Sequence, residues 1–114
     1  MVIASWNVQA LSDIKLWELS QTMLRHSIGI MCVQETRRLH SPYYLTDNGF
    51  LVILLGSSNA THEFGGVGCI VAPWVVHAVG GFLQQSNRLA CLKIRVPKSK
   101  LHGYRPTLRI LAIP

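Results

Sequence analysis

The amino-terminal third of this chain reads as an apolar run, an amphipathic helix and a second apolar run, an order that leaves few ways to fold. Residues 2–6 form a short apolar strand that leads straight into polar Asn7. Ser12 and Asp13 are helix N-cap residue types, and the spacing predicts a helix over 14–28. Leu16, Leu19 and Met23 recur there at three- and four-residue intervals, with Trp17, Leu24 and Ile28 on the adjoining line. Gly29 is expected to break the helix, and 30–33 to form a second buried strand ending at Gln34-Glu35. Strand, helix and strand in this order predict a right-handed crossover, with the two strands in one sheet.

Beyond this unit the pattern turns to short strands. Residues 36–49 hold the turn formers Ser41-Pro42 and Asp47-Asn48-Gly49 and read as a loop. A strand is expected over 50–55 and a polar loop over 56–66. A strand pair, 67–72 and 75–79, is expected to turn at Pro73-Trp74. Residues 88–96 alternate most clearly, with Ala90, Leu92, Ile94 and Val96 on one face and Lys93 and Arg95 on the other. A basic turn with Lys98, Lys100 and Arg105 precedes a last apolar strand over 108–113. The fold class is therefore α/β. Several successive strands with few helices to cover them predict an open edge, as in an unfinished domain.

Composition narrows the class further. The 114 residues are one domain or part of one, and 49% hydrophobic content with 14% charged residues argues against disorder. No apolar stretch is long enough to span a bilayer, and the start lacks the basic residue and cleavage site of a secretory signal. Lysine and arginine number 11 against 5 acids, a net charge of +6 that favours a polyanionic partner, nucleic acid ahead of a membrane surface. An ordinary basic protein has the same balance. Cys32, Cys69 and Cys91 lie among apolar residues and show no zinc-ligand spacing, which fits reduced, buried thiols in an intracellular setting.

Asn7 and Glu35 stand out because each follows a short buried strand. Were the strands parallel neighbours, the two residues would share the sheet end where ligands bind in open α/β arrangements. A carboxylate and an amide oxygen suit Mg²⁺, a hard ion that takes oxygen ligands. Polar residues at strand ends are more often caps or turn formers, and the residues alone leave that alternative open.

Ser5-Trp6-Asn7-Val8 followed by Val33-Gln34-Glu35-Thr36-Arg37 resembles the paired Trp-Asn and Gln-Glu-Thr signatures of the endonuclease/exonuclease/phosphatase superfamily. Gly65-Gly66-Val67-Gly68-Cys69-Ile70-Val71 is similar to its Gly-Gly-Val-Gly strand, and Arg88-Leu89-Ala90-Cys91-Leu92-Lys93-Ile94 to its arginine-plus-strand element. Ile110-Leu111-Ala112-Ile113-Pro114 sits where members have a strand ending near Tyr-Ala-Pro. The Gln-Glu-Thr-Arg-Arg run looks most like the AP-endonuclease-like domains of LINE-type retrotransposons, and less like apurinic/apyrimidinic repair enzymes. Inositol phosphatases and sphingomyelinases share the superfamily.

The resemblance implies that residues 1–114 are the amino-terminal portion of a single two-sheet domain. It implies a hydrolase, a DNA endonuclease that uses Mg²⁺ (Mn²⁺ as a substitute), with DNA as partner, no small-molecule cofactor, and a setting inside the cell that includes the nucleus. Glu35 would be the main metal ligand, and Asn7 would support the metal or the scissile phosphate. The family also needs an Asp-x-Asn pair and a Ser-Asp-His, and neither occurs in these residues; the two aspartates are Asp13 and Asp47. Lost acid–base help is worth about 10²–10⁴ in rate, so this polypeptide alone is expected to be nearly inactive. A non-catalytic nucleic-acid-binding remnant, a phosphatase relative, and an unrelated small α/β binding protein in which Asn7 and Glu35 diverge stay as alternatives. His62-Glu63 reads as a solvated turn, Gly65-Gly66 as tight sheet packing, and Tyr43, Tyr44 and Trp74 as packing rather than base stacking.

Overall fold

A computed structural model of the chain describes residues 2–34, 36, 41–55, 66–84, 90–95 and 107–112. Eight strands and one α-helix lie among them: β1 (Val2–Asn7), α1 (Asp13–His26), β2 (Ile28–Gln34), β3 (Ser41–Leu45), β4 (Leu51–Leu55), β5 (Val67–Val71), β6 (Val79–Gln84), β7 (Ala90–Arg95) and β8 (Thr107–Ala112). The fold is mixed α+β. A five-stranded mixed sheet runs in the order β1-β2-β5-β4-β3, and a three-stranded antiparallel sheet in the order β6-β7-β8.

The first unit forms as its pattern requires. β1 and β2 pair in parallel, with Trp6 opposite Val33 and Asn7 opposite Gln34. Between them the Ser12 side chain accepts the Lys15 backbone N–H at 3.1 Å, the N-cap contact that opens α1. The helix ends earlier than its apolar spacing suggests. Ser27 takes the left-handed conformation at φ 54°, and its N–H returns to the Met23 carbonyl. The chain needs that turn to enter β2 at Ile28, so Gly29 is a strand residue rather than the helix breaker. Leu16, Leu19, Ser20 and Met23 are buried, whereas Trp17 and Leu24 face solvent and Ile28 is buried as part of β2.

Two apolar layers hold the sheets. On one side of the five-stranded sheet Leu16, Leu19 and Met23 of α1 pack against Met31, Val33 and Ile70. On the other side Ile30, Cys32, Ile53, Cys69 and Val71 meet Leu92 and Ile94 of β7, which joins the two sheets. Every residue of β2 and β5 is buried, as expected of central strands covered on both faces. Each such large side chain contributes roughly 1.5–3 kcal/mol. Lys93 and Arg95 point outward, matching the alternation read over 88–96. At the sheet edge β1 is exposed along most of its length, with Val2, Ile3 and Trp6 at 50%, 42% and 53%.

Two further expectations change. Residues 41–45, read as loop, form the edge strand β3, antiparallel to β4. Pro42 falls at its register irregularity, the kind of edge position where a residue without an N–H is tolerated. Residues 75–79 do not pair back onto β5. After Pro73-Trp74 the Val75 N–H bonds to the Ala72 carbonyl at 2.9 Å, a 3₁₀ turn follows at Val76–Ala78, and the chain crosses to the second sheet as β6. The Asp47-Asn48-Gly49 turn is as expected: Gly49 sits at φ 87°, and its N–H bonds to the Thr46 carbonyl at 3.0 Å. The loop at 56–65, the basic turn at 97–106, Val96 and the chain end at 113–114 lie outside the described residues. Among the described residues no helix is long and apolar enough to cross a membrane.

Candidate functional site at the carboxyl ends of the first two strands

The ladder between β1 and β2 continues past the strands. Val8 N–H bonds to the Gln34 carbonyl at 3.0 Å, and Leu11 N–H to the Thr36 carbonyl at 2.9 Å. On its other side Thr36 N–H reaches the Gly66 carbonyl at 3.3 Å. The backbones of Gln34 and Thr36 are therefore fixed on both sides of position 35. Glu35 itself lies outside the described residues, as do Arg88, His62 and Glu63.

Asn7 closes β1, exposed and opposite Gln34. Its side-chain oxygen accepts the Gln9 N–H at 3.3 Å, a short local turn at the strand end. The Gln34 amide donates to the Ser5 hydroxyl at 2.9 Å. By strand alternation Ser5 and Asn7 share the face turned away from α1, while Ala4 and Val8 pack toward it. The turn that follows is strained: Gln9 and Ala10 take φ of 49° and 88°, values that side chains with a Cβ rarely adopt.

One residue that pattern reading passed over holds this turn. The Lys15 ammonium donates to the Val8 carbonyl at 2.6 Å, pinning the turn onto α1. A lysine in a helix's first turn opposes the helix dipole, and its contact with the Val8 carbonyl offsets that cost. Trp6, Lys15, Glu18 and Thr22 line a cavity of about 270 Å³ between β1 and α1. Thr36 is fully buried, and its hydroxyl has no hydrogen-bond partner among the described residues.

Asn7 offers a cation one remaining oxygen lone pair, and offers a phosphate the two N–H groups of its amide. That suits a hard ion only as an auxiliary ligand. No cluster of three histidine, cysteine or carboxylate side chains that could hold a metal occurs among the described residues. Cys32 and Cys69 are buried thiols, as read from the sequence; the Cys91 side chain lies outside what the structure describes. Neither the protein-family models nor the curated proteins contain a match to this chain.

Proposed function

We propose that this chain is the amino-terminal portion of a Mg²⁺-dependent phosphodiesterase domain of the endonuclease/exonuclease/phosphatase type, one that in full acts on DNA as LINE-type endonucleases do. The observation that carries this reading is the parallel pairing of β1 and β2, in continuous register from Ile3 to Asn7, with Asn7 and Gln34 side by side at one sheet end. In sequence Glu35 follows directly, between two residues with anchored backbones. The mixed α+β architecture with two sheets and one flanking helix is compatible with that superfamily's sandwich.

In this reading Glu35 is the principal metal ligand, and the metal supplies Lewis-acid stabilisation of charge on the phosphodiester. The Gln9 N–H orients the Asn7 amide, whose own N–H groups are left to hold a phosphate oxygen. Lys15 keeps the Val8 carbonyl, and with it the turn, in place. The 114 residues supply no Asp-x-Asn or Ser-Asp-His, so the step missing from them is activation of the water.

The test uses Mn²⁺ as a paramagnetic probe of the chain as it stands, read by solvent-proton relaxation. Glu35→Gln is expected to weaken Mn²⁺ binding at least ~10-fold, the low end of what is lost with a single metal-site group. Unchanged affinity in that variant would sink the metal assignment. A second reading, nucleic-acid binding without cleavage, is favoured by the outward Lys93 and Arg95 and the net charge of +6. Steeply salt-dependent DNA binding with no divalent-ion requirement supports it instead.

A further inference from the structure

Cys32 of β2 and Cys69 of β5 are register partners in the centre of the five-stranded sheet. Both are buried, each about 5% exposed, and both face the layer between the two sheets. The kind of pair they form follows from the hydrogen bond next to it. Ala72 N–H bonds to the Gly29 carbonyl at 2.8 Å, one step beyond the Ile30–Val71 pair. Hydrogen-bonded and non-hydrogen-bonded pairs alternate along an antiparallel ladder, so Met31–Ile70 is hydrogen-bonded and Cys32–Cys69 is not. Non-hydrogen-bonded pairs bring opposite Cα atoms to about 4.5 Å, at the near end of the 4.4–6.8 Å range that disulfides span. The thiols already meet: a hydrogen bond from Cys69 holds the Cys32 thiol below its ordinary range, against burial, which pushes it up.

We infer that Cys32 and Cys69 are a disulfide-forming pair, oxidised by a hydroperoxide to a cross-strand bridge without rearrangement of the sheet. The Cys32 thiolate attacks the peroxide oxygen, breaks the O–O bond and becomes a sulfenic acid, and the leaving hydroxide takes up a proton as water. Cys69 sulfur then attacks the Cys32 sulfur. The S–O bond breaks, a second water leaves with the Cys69 proton, and the S–S bond forms. Two thiols are oxidised and one peroxide is reduced to two waters. The bridge lies two residues before Gln34, where β2 meets the end of β1, so it would lock the base of the candidate site. This holds whichever activity the site has.

The experiment treats the purified chain with stoichiometric hydrogen peroxide, blocks remaining thiols by alkylation and maps tryptic peptides. The three cysteines separate onto three peptides, since basic residues at 25, 37, 38, 88 and 93 divide them. The expected product is a Cys32–Cys69 link with Cys91 alkylated, formed also in Cys91→Ser and lost in Cys32→Ser and Cys69→Ser. The linked protein should melt on the order of 10 °C higher, reversed by a dithiol reductant, because the bridge closes a long loop. Both thiols still alkylatable, a link through Cys91, or sulfinate at either position would each overturn the inference. Should a serine variant fail to fold, the map of the wild-type chain decides alone.

Discussion

Gly68→Ala tests how tightly the central strands are built. A Cβ at Gly68 would lie 2.5 Å from the Ile53 carbonyl oxygen, against a floor of 3.0 Å for real contacts, so at least 0.5 Å of movement is needed. It would also meet Leu54 Cδ2 at 3.3 Å and Val33 Cγ2 at 3.4 Å. The Ile53 oxygen is backbone in β4, and β5 is paired on both sides, by β2 and β4, so neither strand can move alone. Overpacking of this kind costs about 1–3 kcal/mol, and a rigid ladder puts the cost at the upper end. Restricting the unfolded chain returns ~0.4–1 kcal/mol, leaving a net loss of about 2 kcal/mol. With a urea dependence of roughly 1–1.5 kcal/mol per molar, the midpoint should fall by about 1.5 M with an unchanged slope. Gly80→Ala is the control, since its nearest neighbour is the Arg95 side chain at 3.4 Å, which can swing aside. A Gly68→Ala protein within ~0.5 kcal/mol of wild type, or no worse than Gly80→Ala, would refute the reasoning.

Further expectations concern the turn and the buried hydroxyl. Ala10→Gly should stabilise the fold by about 1 kcal/mol, because glycine removes the steric cost of φ 88°; a lower melting temperature would contradict this. Thr36→Val should stabilise by ~1 kcal/mol or more in urea titration, since it removes a buried hydroxyl without a partner among the described residues; a comparable loss would reveal one. The Glu35→Gln and cysteine experiments described above complete the set.

What the sequence disclosed, it disclosed through period. The strand–helix–strand unit, the alternation of Leu92 and Ile94 against Lys93 and Arg95, and the edge strand ending near residue 112 all follow from apolar spacing. The misses share a cause: tertiary pairing overrode local breaker signals. Pro42 marks a turn in isolation, yet it lies in β3 at the sheet edge, where its missing N–H costs no ladder bond. Residues 75–79, read as the partner of 67–72, instead lead into the second sheet, where β6 meets β7 at a register irregularity between Val79 and Gly81. Gly29 looked like the helix stop because its neighbour Ser27 gave no compositional hint of a left-handed turn. At the candidate site, the position of Asn7 was legible as a polar residue closing an apolar run. The grip of Lys15 on the Val8 carbonyl and the juxtaposition of Cys32 with Cys69 were not, since both depend on register between distant segments.

The mixed character of the sheet bears on the order in which it assembles. β3 and β4 are joined by a short turn and can pair early, and α1 needs only local contacts. β2 differs, because it must take β1 in parallel across the helix and β5 in antiparallel from beyond two intervening strands. Closing the longer loop adds an entropic toll that grows as about (3/2)RT ln n, and it is met before the contacts that offset it exist. The junction where β1, β2 and β5 come together is therefore a late event on the folding path. Asn7 and its strained turn lie on the β1 side of that junction, so the site takes shape with the pairing of β1 and β2.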